Sequence, residues 1–154
     1  MAQKERFPGR EMNYTKGKFF VDTNILVYAY DSSAGKKWRK SSEILSSLWI
    51  HRTGVISTQV IQELFVSLTQ KVKNPILPEN AKGIVSDLLR WPLVVNDGEN
   101  ILRAVEIQIK YHFSFWDSLI LQAAITSKSE FLLSEDFQDR QVIESVTMLN
   151  PFLE

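Results

Sequence analysis

The sequence predicts an α/β fold in which helices cover both faces of a central, mainly parallel sheet, as a three-layer α/β/α sandwich. Short apolar runs of strand type alternate with longer amphipathic segments, an order that is typical of parallel sheets. The length of 154 residues suits one domain of ordinary size. Hydrophobic residues make up 44% of the chain, which is enough to build a normal core.

The first half of the chain is expected to open with a flexible polar leader over residues 1–17, followed by a single domain over 18–154. After a first strand at 18–22, the predicted elements of this half are helices at 24–30 and 37–51, a strand at 55–57, and helices at 58–72 and 79–90. Apolar residues recur at i, i+3 and i+4 within the longer of these helices, which predicts one buried face on each.

The second half continues the same alternation. Strands are predicted at 93–95, 131–133 and 147–149, and helices at 99–112 and 114–128. The segment 114–128 is rich in Leu, Ile and Ala, which predicts a helix at the centre of the domain.

Composition excludes several classes of function. The chain has no cysteine, so disulfides, zinc–thiolate sites and cysteine nucleophiles are ruled out. No glycine-rich nucleotide-binding motif and no G-x-S-x-G elbow occur. The two histidines, His51 and His112, lie at predicted helix ends, which argues against a serine–histidine hydrolase.

Charge and hydropathy place further limits on the partners. Eighteen basic residues balance eighteen acidic ones, so no general polyanion-binding surface is indicated. The basic cluster at 36–40 is either a local nucleic-acid contact or a solvated helix face. No run approaches the roughly 18 apolar residues of a membrane span, and the N-terminus is polar. We therefore expect a cytoplasmic protein without membrane contact.

Acidic residues occupy the positions where an α/β sheet places its ligands, outside the carboxyl ends of strands. Asp22 directly follows the first predicted strand, and Asp136 follows the strand at 131–133. Glu63 and Asp117 lie in predicted helices with strongly apolar neighbours. Burial of an acidic side chain there requires an explanation. Each also has a local explanation, because Asp22 can cap a helix and Asp117 fits a capping box that begins at Ser114.

Taken together, the four acids suggest a metal site. Carboxylates gathered in one cleft raise each other's pKa, and a bound divalent cation removes that cost. Mg²⁺ and Mn²⁺ prefer carboxylate and water oxygens, and a water on such an ion can attack a phosphodiester. The spacing of the acids along the chain does not by itself show that they meet.

At these residues the chain resembles the PIN-domain family, and within it the VapC-like toxins of toxin–antitoxin pairs. The first motif of the family is a strand followed by Asp-Thr/Ser-Asn, here Asp22-Thr23-Asn24. The second acid lies on a helix after a Ser/Thr-containing entry, here the segment from Ser57 to Glu63.

The remaining motifs follow in the family's order. The third acid precedes an apolar, alanine-containing helix, here Asp117 with residues 118–124. The fourth lies in a Leu-x-Thr/Ser-x-Asp pattern, here Leu132 to Asp136. The ending at 150–152, Asn-Pro-Phe, is also common in the group. The resemblance extends from residue 19 to 152.

The resemblance implies a PIN-like three-layer sandwich and an endoribonuclease that uses Mg²⁺ or Mn²⁺. It implies that Asp22, Glu63, Asp117 and Asp136 are the catalytic, metal-binding residues. It further implies an RNA substrate, a homodimer and a cognate antitoxin. Either Asp136 or Asp139 fills the fourth acidic role, and Arg140 stands where some relatives have glycine. Supporting hydrogen bonds are expected from Thr23, Asn24 and Ser134.

Two alternatives remain open from the sequence. An aspartyl-phosphate phosphotransfer domain would use Asp22 as nucleophile, but the haloacid-dehalogenase type needs an acid where this chain has Asn24. The receiver type needs a lysine after a late strand, and neither Leu133 nor Leu149 is closely followed by one. A non-catalytic PIN-like binding module for RNA or protein is the second alternative.

Overall fold

The computed structural model describes residues 12–153, and in that range the strands form one mainly parallel sheet. The strands are β1 (Phe19–Val21), β2 (Gly54–Ser57), β3 (Leu93–Val94), β4 (Phe131–Leu133), β5 (Val142–Ile143) and β6 (Val146–Leu149). Their order across the sheet is β3-β2-β1-β4-β6-β5. Every neighbouring pair is parallel except β5 and β6, which are antiparallel.

Helices flank this sheet, which confirms the predicted three-layer α/β/α sandwich. They are α1 (Thr23–Ala29), α2 (Lys36–His51), α3 (Thr58–Val66), α4 (Pro78–Leu88), α5 (Gly98–Tyr111) and α6 (Phe115–Thr126). None of these described helices is long and apolar enough to cross a membrane.

The core is centred on β1 and β4, which are buried along their whole length. Phe19 lies opposite Phe131 in the parallel register, and the two rings stack with centroids 4.9 Å apart. Strands covered by helices on both faces need apolar side chains in both directions, which explains why these segments are continuous apolar runs.

Two elements differ from the prediction. The helix expected over 58–72 is α-helical only to Val66 and continues as a π-helical turn over Ser67–Lys71. Thr69 donates its hydroxyl to the carbonyl oxygen of Phe65 at 2.8 Å, a bond back into the preceding turn. Strand β5 was not predicted, because the turn that joins it to β6 has positive φ at Glu144 and Ser145 and so lacks the usual glycine or asparagine signal.

The predicted leader falls partly outside the described residues, which begin at residue 12. Within 12–17, the ring of Tyr14 packs against Phe19 with centroids 5.1 Å apart. The carbonyl oxygen of Tyr14 accepts a hydrogen bond from the Thr53 hydroxyl at 2.7 Å, and burial raises the pKa of Tyr14 to about 12. This stretch therefore covers the amino ends of β1 and β2.

Gly54 opens β2 at a point where the backbone touches an indole. A Cβ atom at this position would lie 2.3 Å from Cζ3 of Trp91, which is itself buried and packs edge-on against Trp49. We expect Gly54→Ala to lower the free energy of unfolding by about 1–3 kcal/mol, because the indole must move within a packed core. Urea unfolding measures this loss.

Gly83 provides the matched control, since it lies inside α4 with open space around the added methyl group. Gly83→Ala should leave the free energy of unfolding unchanged or raise it by about 0.5–1 kcal/mol. Equal stability of the parent and Gly54→Ala would contradict the packing described for Trp91.

Candidate active site

The strand order brings Asp22 and Ser134 side by side at the carboxyl edge of the sheet. Asp22 follows β1 and Ser134 follows β4, the neighbouring parallel strand. The ladder continues past the strands, because the Asp22 amide donates to the carbonyl oxygen of Leu133 at 2.9 Å. The Ser134 hydroxyl then donates to Oδ2 of Asp22 at 2.7 Å.

Three helices begin at the same edge, each with a capped first turn. Oδ1 of Asp22 accepts from the amide of Thr23 at the start of α1, at 2.7 Å. The Ser57 hydroxyl caps α3, and the Ser114 hydroxyl caps α6 by accepting from the Asp117 amide at 3.1 Å. The capped helix N-termini and the acidic residues thus lie at the same edge, because the positive ends of helices favour nearby carboxylates.

Asn24 connects two of the predicted acids. Its Nδ2 donates to Oδ2 of Asp136 at 3.0 Å and, at the longer distance of 3.5 Å, to Oδ2 of Asp22. Its Oδ1 accepts from the Glu135 amide at 3.4 Å. The Ser134 hydroxyl links the same two acids, since it donates to Asp22 and accepts from the Asp136 amide at 3.0 Å. Asp22 and Asp136 are therefore held by two short side chains.

Electrostatic interactions extend this pair to all four predicted acids. Burial raises the pKa of Asp22 to about 7; hydrogen bonds from Ser134 and Thr23 oppose this rise, and the charges of Asp136 and Glu63 add to it. Burial also raises the pKa of Asp117, and the charge of Asp136 adds to that shift. Asp136 therefore lies within electrostatic range of both Asp22 and Asp117, and Glu63 lies within range of Asp22.

The four acids differ in their exposure to solvent. Asp22 is only 5% exposed, whereas Glu63 and Asp136 are exposed and Asp117 is intermediate. Glu63 approaches the centre through the Thr23 hydroxyl, which lies 3.5 Å from its Oε2. The arrangement is a cleft with a buried carboxylate at its floor and accessible carboxylates at its rim.

Asp139 contacts a different part of the chain. Its Oδ1 accepts from the Asn150 amide at 2.8 Å, and its Oδ2 lies 3.8 Å from Nε of Arg140. The charge that acts on Asp22 and Asp117 comes from Asp136. Of the two candidates for the fourth role, the structure brings Asp136 to the other acids.

A cluster of side chains behind Asp136 was not predicted from the sequence. The ammonium group of Lys37 lies 2.8 Å from Glu135 and over the rings of Tyr28 and Phe152, at 4.9 and 5.3 Å from their centroids. The Tyr28 hydroxyl donates to Glu135 as well. Lys37 therefore holds the loop that carries Asp136. This basic residue of the predicted 36–40 cluster thus makes an intramolecular ion pair.

The family model described as PIN domain matches residues 19–142 of the chain. This chain belongs to the PIN-domain family. The PIN-like fold implied by the motifs is confirmed, and no curated protein matches the chain.

Solved structures with the same fold include three bacterial toxin–antitoxin assemblies. A toxin–antitoxin complex from Klebsiella pneumoniae gives a TM-score of 0.65 at 19% identity and covers 88% of this PIN domain and 98% of that chain. VapBC from Salmonella typhimurium, bound to DNA, gives a TM-score of 0.60 at 15% identity. That alignment covers 86% of this chain and 97% of the other. VapBC2 from Rickettsia felis, bound to a DNA fragment from its promoter, gives a TM-score of 0.58 at 19% identity. That alignment covers 84% of this chain and 96% of the other.

A fourth structure with the same fold is described as a toxin. VapC20 from Mycobacterium tuberculosis, described as a Sarcin-Ricin loop cleaving toxin, gives a TM-score of 0.57 at 13% identity. The alignment covers 75% of this PIN domain and 87% of that chain.

The donor set of this PIN domain suits a hard divalent cation that keeps much of its water. All four candidate ligands are carboxylates, the type that Mg²⁺ and Mn²⁺ prefer. Among residues 12–153, no three His, Cys, Asp or Glu side chains are arranged as a ready coordination cage. Mg²⁺ commonly binds through one or two carboxylates plus waters, and the linked pair Asp22 and Asp136 could supply such carboxylates.

Proposed function

We propose that this PIN domain is a metal-dependent endoribonuclease that hydrolyses RNA phosphodiester bonds, acting as the toxin of a toxin–antitoxin pair. The observation that carries the proposal is the convergence of Asp22, Glu63, Asp117 and Asp136 at one edge of the sheet, with their charges acting on one another. Such a cluster has no use in packing, since each carboxylate disfavours ionisation of the next.

The metal, Mg²⁺ or Mn²⁺, supplies Lewis acidity when bound, lowering the pKa of a water and stabilising charge on the phosphate. Asp22 and Asp136 would hold it, because Ser134 and Asn24 fix their relative position. The waters of the site would be oriented by Asp117 and Glu63. Asp117 lies in the first turn of α6, and Glu63 is linked to the site by the Thr23 hydroxyl. Asp22 itself is shielded from bulk water, since only 5% of it is exposed.

The partners follow from the same assignment. RNA is the proposed substrate because the Mycobacterium tuberculosis relative in fold is described as a toxin that cleaves the Sarcin-Ricin loop. The three toxin–antitoxin assemblies support a cognate antitoxin for this chain. A homodimer is supported by the outer face of α5, where Ile101, Val105 and Ile109 recur every fourth residue and remain exposed.

Cleavage of RNA with and without divalent ions tests the function. Purified protein with Mg²⁺ or Mn²⁺ should cut single-stranded RNA, and an excess of EDTA should abolish the cut because the carboxylates alone do not activate water. In cells, expression of the parent should arrest growth, and expression of Asp22→Ala should not. Sequencing of cleaved RNA ends then defines the substrate.

Two results would contradict the proposal. If calorimetry detects no Mn²⁺ binding and RNA stays intact in the cleavage assay, a non-catalytic binding module is favoured. Stable labelling by acetyl phosphate would favour an aspartyl-phosphate mechanism, although Asp22 is too buried for easy in-line attack.

A further inference from the structure

Trp116 is a large aromatic side chain left in solvent beside one of the site acids. It keeps 65% of its surface exposed, compared with 37% for Trp38 and 7% for Trp91. It lies in the first turn of α6, directly before Asp117. Side chains on a helix lean toward its N-terminus, and the N-terminus of α6 lies at the edge of the sheet where the acids converge. Trp116 therefore lies at the acidic edge of the sheet, one position before Asp117.

The backbone beneath this indole is fixed from the neighbouring helix. Nε2 of Gln59 donates to the carbonyl oxygen of Trp116 at 3.3 Å, and Gln59 is only 6% exposed. Gln59 lies one helical turn before Glu63 on α3. The indole also has the ring of Phe115 edge-on at 5.3 Å. The backbone of Trp116, on the helix that carries Asp117, is thus bonded to the helix that carries Glu63.

An exposed indole can supply binding energy for RNA that the charge of this protein does not supply. The formal net charge is zero, and the cleft itself carries four carboxylates that repel phosphates. Attraction between charges is therefore a weak source of RNA affinity here. Stacking on an aromatic ring does not depend on net charge, and single-stranded RNA offers unpaired bases whose faces are free.

We propose that Trp116 is a stacking platform for a nucleobase of single-stranded RNA, adjacent to the phosphate that lies at the acidic cluster. This inference rests on the proposed function, since it requires RNA in the cleft. The platform selects for an unpaired base next to the cleavage position, because a base inside a duplex has no free face. Bases that stack more strongly are preferred there.

Steady-state cleavage of a short single-stranded oligoribonucleotide tests the platform. Trp116→Ala should raise KM about 5- to 150-fold, the range expected for losing one base–aromatic stack. Trp116→Phe keeps a flat ring and should stay within about 3-fold of the parent. Ile50→Ala is the control, because Ile50 is a large exposed apolar side chain near the end of α2, beside the amino end of β2, and its loss should leave KM unchanged.

A binding measurement separates stacking from catalysis. In an Asp117→Asn background, the oligoribonucleotide should quench tryptophan fluorescence, and the additional change Trp116→Phe should remove that quench. An oligonucleotide with an abasic ribose beside the cleavage position should bind without the quench. Circular dichroism of each variant confirms that it is folded.

The outcomes distinguish this inference from the proposed function. If the parent cuts no RNA but the quench depends on Trp116, the nuclease is wrong and the stacking site stands. If the parent cuts RNA and Trp116→Ala keeps the parental KM, the stacking site is wrong and the nuclease stands. A parental KM with conversion from dimer to monomer would assign Trp116 to a protein interface and would also overturn the stacking site.

Discussion

Asp117→Asn should lower the rate of RNA cleavage by about a thousand-fold or more while leaving the fold intact, because a site carboxylate contributes several kcal/mol of charge stabilisation. Asparagine has the same shape but no charge. The cap of α6 survives the change, since the backbone amide of residue 117 donates to the Ser114 hydroxyl whatever the side chain is. Single-turnover cleavage of labelled RNA with Mn²⁺ measures the loss.

Asp87→Asn is the control for this experiment. Asp87 is an exposed acid on α4, so the same chemical change is made away from the cleft. Its cleavage rate should match that of the parent, and the thermal unfolding curves of both variants should stay close to the parental curve. Parental activity in Asp117→Asn would show that Asp117 is not a site residue.

Asp22→Asn should stabilise the metal-free protein at neutral and alkaline pH even as it abolishes activity. Burial raises the pKa of Asp22 from 3.8 to about 7, so the folded state holds a proton that the unfolded chain releases. Stability is therefore lost as the pH rises from about 4 to about 7, and the full loss is on the order of 4 kcal/mol. Asparagine avoids this loss and can still accept from the Thr23 amide.

Urea unfolding in EDTA across the pH range checks this result. At pH 4 the parent and Asp22→Asn should have similar free energies of unfolding, because the parental carboxyl is protonated in the folded state. At pH 8 the variant should be more stable by up to about 4 kcal/mol. A difference that stays constant with pH would mean that burial does not control this carboxyl.

The sequence was sufficient to predict five of the six strands described in the sheet and to locate two of the candidate acids. Strands that are buried on both faces appear as apolar runs, so the residue after each run is easy to locate. Asp22 and Asp136 could be found in this way. Glu63 and Asp117 were noticed because their helical surroundings are apolar. A local pattern does not say which way a helix faces, so grouping them with Asp22 and Asp136 relied on the family motifs.

The parts that were missed depend on contacts between distant residues. Glu135 is paired with Lys37, 98 positions earlier, and Asn24 reaches Asp136 across 112 positions. Nothing in the local sequence marks these partners. Gln59 had a weak local signal, since it precedes Glu63 by one helical turn and is a polar residue on a buried face.

The contact of Phe152 with Lys37 and Tyr28 has a practical consequence for handling the protein. Because Phe152 closes the cluster that holds Glu135, the end of the chain forms part of the wall behind Asp136. A purification tag fused after this residue therefore lies close to the loop that carries Asp136. The first described residues of the chain contact Thr53 through Tyr14, at the opposite edge of the sheet. Activity assays are therefore best run with the tag on the N-terminal side.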